Sequence, residues 1–316
     1  MTKTRYQIEM LDVGNGDCFI IQYFHKESDY TLIMVDAGSS GNGDSIMRHL
    51  NKYYPEHDVD YAIVTHSDED HYGGFLDILA KLEEPKKDGE QKNDSEVKPV
   101  GIKKFIINGI SSSLYDYKEL DKFINRLRIP VEEKYKGDSI NECPILFLSP
   151  SREKFESFEY AFDGMDSVSS IFESILNEKS IKSIDDYEDD KSYTNASSIV
   201  FLFHPDDKKF LFTGDATRKT LNDVLKEFPK AMTDCDWLKV PHHGSVSNLT
   251  THLIDTLNPK TSYISAAGDD KHPSRDIVTL LESKGDVYIT SENHTVMYRS
   301  GTPLREGWGP TDSHKS

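Results

Sequence analysis

The stretch Thr65-His66-Ser67-Asp68-Glu69-Asp70-His71-Tyr72-Gly73-Gly74 places four side chains able to bind metal, His66, Asp68, Asp70 and His71, within six positions. Imidazole and carboxylate at that density suit a hydrolytic metal site. The spacing lets His66 and Asp68 reach one cation while Asp70 and His71, pointing the other way, reach a second. Two divalent ions about 3.5–4 Å apart can bridge a water, lower its pKa to roughly 7 and clamp the attacking and leaving oxygens of a phosphoryl or acyl transfer. Further along, Phe210-Leu211-Phe212-Thr213-Gly214-Asp215 is an apolar strand that ends on a carboxylate, and Asp215 is a natural bridging ligand. Trp237-Leu238-Lys239-Val240-Pro241-His242-His243-Gly244-Ser245 again sets histidines after a short strand. Each segment alone could be an ordinary turn or surface loop; three strand ends that all supply His or Asp point to one shared pocket.

The set His66, Asp68, Asp70, His71, Asp215 and His242-His243 resembles the metallo-β-lactamase-fold hydrolases, whose pattern is H-x-H-x-D-H followed by a distant His, an Asp and a final His. Leu11-Asp12-Val13-Gly14-Asn15-Gly16-Asp17, Val35-Asp36-Ala37-Gly38, Asn195-Ala196-Ser197-Ser198, Thr213-Gly214-Asp215, His242-His243-Gly244-Ser245 and His272-Pro273 resemble one branch more closely, the C-terminal nuclease-like domain of ComEC-type competence proteins. The motifs run from about residue 6 to about residue 300. The resemblance implies that His66 and Asp68 bind a first ion, that Asp70 and His71 bind a second, and that Asp215 bridges them. It favours His243 as the last ligand with His242 lining the pocket, and leaves the reverse open. Two departures follow from the alignment: Asp68 stands where the family has its second His, and Asn195 or its serine neighbours stand where it has the middle one. Both exchange nitrogen for harder oxygen at the first site, which makes that site more tolerant of manganese or magnesium and weaker for zinc. The expected cofactors are two divalent ions, zinc or manganese, and occupancy by a single ion is also compatible.

Other residues suit the same pocket. Asp17, at the end of the Gly-Asn-Gly loop, could brace a ligand histidine or belong to a plain turn. Asp36 ends an apolar strand, and could orient the His66 loop or cap a turn. His272 and Lys239 could contact a substrate phosphate, although for Lys239 a solvated surface position is the more ordinary reading. His25, His49, His57, His204, His252, His294 and His314 have no partner spacing and read as structural or surface residues.

Positioning these residues requires short strands alternating with helices. Strands are expected near 5–12, 17–24, 30–36 and 59–65, and the Gly73-Gly74 pair turns the chain into an apolar helix from about Phe75 to 83. A helix over 118–128 carries Leu120, Phe123, Ile124 and Leu127 on one stripe, and one over 218–228 carries Leu221, Val224, Leu225 and Phe228. Residues 198–203 and 210–213 read as a hairpin around Asp206-Asp207. Strands near 261–265, 286–290 and 294–298 follow, with a helix over 274–283 opened by Ser274 as N-cap. Two similar halves divided near residue 150 make an α/β, four-layer αββα sandwich, a single domain over 1–316. Two insertions interrupt it. Residues 83–99 mix charges without apolar periodicity and read as a mobile loop. Residues 151–194 read as a partly helical insertion, a lid over the site or a surface for a protein partner.

The chain has 316 residues, 36% of them hydrophobic, enough to bury a large core, and no apolar run long enough to span a bilayer. Its first residues lack the apolar core of a signal peptide, and Cys18, Cys143 and Cys235 are few and without Cys-x-x-Cys spacing, so a cytoplasmic location is expected and a thiolate zinc cluster is excluded. A formal net charge of -18 argues against a basic face that tracks a long duplex. Divalent ions would restore positive charge only at the pocket. The expected activity is therefore that of a phosphodiesterase or nuclease. Its expected substrate is DNA or something short and nucleotide-like, attacked by metal-bound hydroxide, with Asp70, Asp215 and His272 at the reacting centre. Hydrolysis of a small ester (a phosphorylcholine ester, lactone or thioester) and a noncatalytic metal-binding interaction subunit are the alternatives.

Overall fold

A computed structural model of the chain describes residues 4–84, 97–109, 117–162, 183–269, 272–302 and 313–315. Six strands open the first sheet: β1 (Tyr6–Met10), β2 (Phe19–Phe24), β3 (Tyr30–Val35), β4 (Tyr61–Ile63), β5 (Phe105–Ile106) and β6 (Val131–Glu132). Seven make the second: β7 (Ser139–Ile140), β8 (Ile145–Ser149), β9 (Val200–Phe203), β10 (Phe210–Phe212), β11 (Trp237–Lys239), β12 (Thr261–Ile264) and β13 (Asp286–Ile289). β14 (Val296–Ser300) and β15 (Ser313–Lys315) then return to the first sheet, whose order is β15-β14-β1-β2-β3-β4-β5-β6, against β13-β12-β11-β10-β9-β8-β7 in the second. The helices are α1 (Gly43–Tyr53), α2 (Glu69–Glu83), α3 (Lys118–Leu127), α4 (Arg152–Phe162), α5 (Tyr193–Ala196), α6 (Arg218–Glu227), α7 (Thr251–Leu257), α8 (Arg275–Glu282) and α9 (Thr290–Asn293).

Strand periodicity sorts the apolar residues into three layers. Phe19, Ile21, Ile33, Val35, Phe201, Phe203, Phe210, Phe212 and Trp237 fill the space between the sheets. The alternate residues Ile20, Leu32, Met34 and Ala62 meet Ile46, Leu50, Phe75, Leu79, Leu120 and Ile124 of α1, α2 and α3. On the far side Val200, Leu202, Leu211 and Leu238 meet Leu221, Val224, Leu253, Ile254, Ile277 and Leu281 of α6, α7 and α8. Helix, sheet, sheet, helix is the αββα sandwich of the metallo-β-lactamase type. Among the described residues no helix is long and apolar enough to cross a membrane.

Each sheet combines an antiparallel ladder (β1–β3, β7–β10) with a parallel run (β3–β6, β10–β13). The expected hairpin of residues 198–203 and 210–213 forms as β9 and β10, paired Phe203 to Phe210. The halves do not divide near residue 150: β7 and β8 already belong to the second sheet, and β14 crosses back to pair with β1. A helix not expected from the sequence, α1, buries Ile46, Met47 and Leu50.

Gly73 and Gly74 do not form a turn before a helix at Phe75, because α2 already begins at Glu69 and contains both. Their missing side chains let α2 touch the loop after β3: a Cβ on Gly74 would lie 2.0 Å from the Ala37 carbonyl oxygen, and one on Gly73 2.3 Å from Ser40 N. Ser274 precedes α8 as expected, but its side chain makes no capping hydrogen bond. Of the expected insertions, 85–96 and 163–182 lie outside the described residues, which retain α4 and the segment 183–194.

Candidate metal centre

The site gathers at the carboxyl ends of the parallel strands, where loops diverge and leave a crevice. Asp36 follows β3, Thr65 to His71 follow β4, Asp215 follows β10, His242 and His243 follow β11, and Ser265 follows β12.

Hydrogen bonds on one nitrogen of each ring decide what the other presents. Asp36, fully buried, accepts from Thr65 N at 2.8 Å, from Thr65 Oγ1 at 2.7 Å and from His71 Nδ1 at 2.8 Å. With its proton given to Asp36, the Thr65 hydroxyl oxygen accepts from His66 Nδ1 at 3.0 Å. His243 Nδ1 donates to the Ser265 carbonyl at 2.8 Å. The Nε2 lone pairs of His66, His71 and His243 therefore all face inward. Among the described residues, each of these Nε2 atoms is buried without a hydrogen-bond partner.

They meet at one carboxylate oxygen. Asp215 Oδ2 lies 4.0 Å from His66 Nε2, 3.4 Å from His71 Nε2 and 3.4 Å from His243 Nε2. Its other oxygen, Oδ1, accepts from Lys239 Nζ at 3.1 Å, so Oδ2 is left to the pocket. Asp68 Oδ2 stands 3.6 Å from His66 Nε2, and Asp70 Oδ2 stands 3.3 Å from His243 Nε2. Of three groups among the described residues whose ligand atoms lie within 4.8 Å of one another, Asp17, Asp36 and His71 meet at the Nδ1 side of the His71 ring, and two overlap in the pocket: His66, His71 and Asp215, and Asp70, His71 and His243. His71 thus joins both groups, where the sequence spacing turned it away from His66; the two rings are 4.1 Å apart. Buried nitrogens with free lone pairs around a carboxylate fit a divalent metal, since such atoms are otherwise costly to bury.

The same arrangement shifts the acids and bases. Burial opposes charge on His71, yet Asp215 and Asp36 hold its pKa well above the ordinary value. Against burial, His71, His243 and Lys239 hold Asp215 well below the ordinary carboxylate range. Asp70, despite burial, is pulled down by His243 and His71, and Asp68 by His66 and Thr194. Without a cation the pocket collects protons instead, which is the electrostatic demand a metal would meet.

Of the two adjacent histidines, His243 is buried and faces Asp70 and Asp215; His242, 30% exposed, lies at the mouth with Nε2 3.9 Å from Asp215 Oδ2. Both adopt left-handed backbone (φ 47° and 52°), a costly state for residues with a Cβ that aims both rings at one pocket. Asn195 is 3% exposed and its Oδ1 has no partner, whereas Ser198 Oγ is used to bind Asp215 N and Ser197 Oγ to bind Thr194 O. His272 stands beside the mouth, its ring 5.4 Å from His242. Burial and the nearby His242 and His243 push its pKa down to about 4, so it is neutral near pH 7.

Two expectations are corrected. Lys239 neither lies on the surface nor reaches a substrate: 1% exposed, it donates to Gly214 O at 2.7 Å and pairs with Asp17 and Asp215. Asp17 accordingly serves Lys239 and stands 3.7 Å from His71 Nδ1 and 3.8 Å from His243 Nδ1, whose braces are Asp36 and Ser265. Gly16 does allow the close approach expected of this loop, since a Cβ there would lie 2.5 Å from Asp70 O. Sequence reasoning missed Thr65, Asn248 and the pocket-wall role of Asp190, which bonds His242, Asn195 and Asn248. No local spacing marks them.

Residues 11–86 match the metallo-beta-lactamase superfamily. The chain is 23% identical over 314 residues to ComE operon protein 3 of Bacillus subtilis (strain 168), covering 93% of this chain and 33% of that protein. It thus spans about a third of the length of that curated relative. Similar solved structures include a metallo-β-lactamase from Hirschia baltica, at 14% identity over 72% of this chain and 82% of that one with TM-score 0.33. A long-form RNase Z from yeast is similar at 12% identity over 84% of this chain and 37% of that one, TM-score 0.37. The chain resembles the metallo-β-lactamase superfamily of metal-dependent hydrolases, and within it the ComEC-type proteins.

Proposed function

We propose that this chain is a metal-dependent phosphodiesterase, a nuclease acting on DNA or a short nucleotide-like substrate with two zinc or manganese ions. The observation that carries this reading is the convergence of three buried, unpartnered Nε2 atoms on Asp215 Oδ2. His66, Asp68, Asn195 and Asp215 would hold one ion, with His242 at its edge; Asp70, His71, His243 and Asp215 would hold the other. Ions so held would supply Lewis-acid stabilisation of phosphoryl oxygens and would lower the pKa of water.

The chain's own groups do the rest. Asp36 and Ser265 fix the rings of His71 and His243, and Lys239 holds Asp215 ionised with one oxygen turned inward. Asp70, its side chain 34% exposed and ionised, is placed at the opening to accept a proton from an attacking water. His272, neutral, can donate a hydrogen bond to a phosphoryl or leaving oxygen. The carboxylates at the mouth, Asp68 and Asp70, repel a phosphate until divalent charge is present, which suits a short substrate rather than a long duplex.

The test is cleavage of single-stranded DNA and of a phosphodiester reporter by protein reloaded with manganese or zinc. Activity should vanish with a chelator and fall by at least 100-fold in Asp70→Asn, about the scale expected when a proton-transfer group is lost. Equal turnover by wild type and variant would remove the assignment. A small ester is the second reading, favoured by the same acidic rim, and a panel of lactone, thioester and phosphorylcholine substrates separates the two. A cytoplasmic location belongs to this proposal; the three cysteines are free and buried, in keeping with it.

A further inference from the structure

His242 and Asn195 share a partner with no role assigned so far. Asp190, its side chain 11% exposed, places Oδ2 2.7 Å from Asn195 Nδ2, 3.0 Å from Asn248 Nδ2 and 3.3 Å from His242 Nδ1. Asn248 is itself fixed: fully buried, its amide nitrogen also faces the carbonyls of Asp215 and Ala216, so its Oδ1 is the atom 3.0 Å from His242 Nδ1.

These contacts decide two orientations that the side chains leave ambiguous. His242 Nδ1 faces two acceptors, Asn248 Oδ1 and Asp190 Oδ2, so it carries the proton and Nε2 presents its lone pair to the pocket. The Asn195 amide nitrogen is drawn to the same carboxylate, which puts its oxygen on the opposite side, buried and without a hydrogen-bond partner. Asn195 follows Thr194, whose hydroxyl bonds Asp68, so the segment that carries Asn195 borders the His66 and Asp68 end of the site.

Asp190 is rigidly mounted. The buried Arg218 guanidinium donates to Ile184 O at 2.7 Å, Tyr187 O at 2.8 Å and Asp189 Oδ1 at 2.9 Å. It also donates to Val246 O at 2.6 Å and Leu249 O at 3.0 Å. One cation thereby ties together the segment that carries Asp190 and the loop that carries Asn248.

We propose that Asp190, mounted by Arg218 and assisted by Asn248, is a positioning residue that turns Asn195 Oδ1 and His242 Nε2 toward a divalent cation at the His66/Asp68 end. The inference rests on the metal-site reading above and makes a different demand: one of the two ions, and not the other, depends on Asp190. Loss of such a supporting contact weakens a metal site by about 10–100-fold.

The experiment titrates metal-free full-length chain with zinc and with manganese by calorimetry, for wild type, Asp190→Ala, Asp190→Asn and Asp70→Asn. Imidazole NMR of the zinc-loaded forms follows the His242 Nδ1 proton. Wild type should take up two ions. Asp190→Ala should keep one at wild-type affinity, weaken the other by 10–100-fold and expose the His242 Nδ1 proton to fast exchange. Asp190→Asn, which keeps the volume and one acceptor oxygen, should lie between. In Asp70→Asn the weakened ion should be the other one and the Nδ1 proton should stay protected. Two ions bound by Asp190→Ala with unchanged affinity, or a His242 Nδ1 proton as protected as in wild type, overturns the proposal and leaves the metal-site reading intact. Wild type that binds no ion removes both. Should Asp190→Ala fail to fold, Asp190→Asn decides by the same two readouts.

Discussion

Replacing Lys239 by Met tests whether the pocket is built around balanced buried charge. Lys239 is 1% exposed and its ammonium is shared by Asp17 (1% exposed side chain) and Asp215 (4%), with Gly214 O as third acceptor. Methionine fills the aliphatic volume and removes the charge together with the ammonium's hydrogen bonds. At an effective dielectric near 20, a unit pair at the 3.1 Å between Lys239 and Asp215 attracts by about 5 kcal/mol. Most of that offsets desolvation; breaking a buried pair by deleting one partner typically costs about 3–5 kcal/mol, because the other charge stays buried. With roughly 2 °C lost per kcal/mol for a chain of this size, the metal-free variant should melt about 6–10 °C lower.

The loss should be smaller with metal. A cation at Asp215 supplies the positive charge that Lys239 no longer does, so zinc or manganese should raise the melting temperature of Lys239→Met by more than it raises that of wild type. Adding Asp17→Asn should restore part of the metal-free stability, since it removes one of the stranded carboxylates. Thermal melts of wild type, Lys239→Met and Lys239→Met/Asp17→Asn, each with and without metal, measure all of this. If Lys239→Met melted within about 1 °C of wild type without metal, the buried-charge reasoning would be refuted, because that corresponds to under roughly 1 kcal/mol.

Asp36→Ala leaves Thr65 and the Nδ1 proton of His71 without their acceptor, and should weaken metal binding by about 10–100-fold in a calorimetric titration. Gly74→Ala drives a Cβ to 2.0 Å from Ala37 O, a backbone atom that cannot move without the strand end; overpacking of this kind should lower stability by about 1–3 kcal/mol in denaturant unfolding. Asp236 is half-buried, which opposes ionisation, but Lys260, Lys208 and the Lys209 amide hold its pKa below the ordinary value. A carboxylate depressed on folding stabilises the fold above its unfolded pKa and loses that contribution as pH falls through the folded one. The melting-temperature gap between wild type and Asp236→Asn should therefore be full near pH 6 and shrink as pH falls below about 4.

How much of this was legible depended on whether partners are close in sequence. His66, Asp68, Asp70 and His71 could be read because the turn of α2 keeps ligands of one loop together, and Asp215 and His243 because each follows an apolar strand. Lys239 was misread although a signal existed: it lies two residues after Trp237, on the same strand face, and Trp237 fills the space between the sheets. A lysine on that face at a strand's inner end has to be buried and paired. Asp190 lay in an acidic run that reads as solvated, and its partners stand 5, 52 and 58 residues away, at Asn195, His242 and Asn248. The α1 stripe of Ile46, Met47 and Leu50 had helical spacing and could have been found. The boundary at 150 was set too late because β7 has two residues, too few to register as a strand, and the apolar β8 (Ile145–Ser149) was not read as one.

The charge inventory of the pocket argues for two ions rather than one. Asp17, Asp36, Asp68, Asp70, Asp190 and Asp215 surround the site, and Lys239 is the basic residue that pairs with them there. One divalent ion would leave about three formal negative charges in a poorly hydrated space, and two would leave about one, the smaller imbalance in a medium where unpaired charge is expensive. In the absence of metal the histidines carry the difference: burial opposes it, but Asp215 and Asp190 raise His242 to about 9, and Asp215 and Asp36 hold His71 well above its ordinary value. Metal must displace these protons before the rings can act as ligands. Affinity should consequently rise as pH increases from 6 toward 9, by roughly tenfold per unit for each proton displaced. Titrations in buffers of different ionisation enthalpy count those protons directly. Release of at least one proton at pH 7, falling away above about pH 9 as His242 deprotonates on its own, is the expected result; binding heats that do not depend on the buffer would mean that the histidines are not where the metal goes.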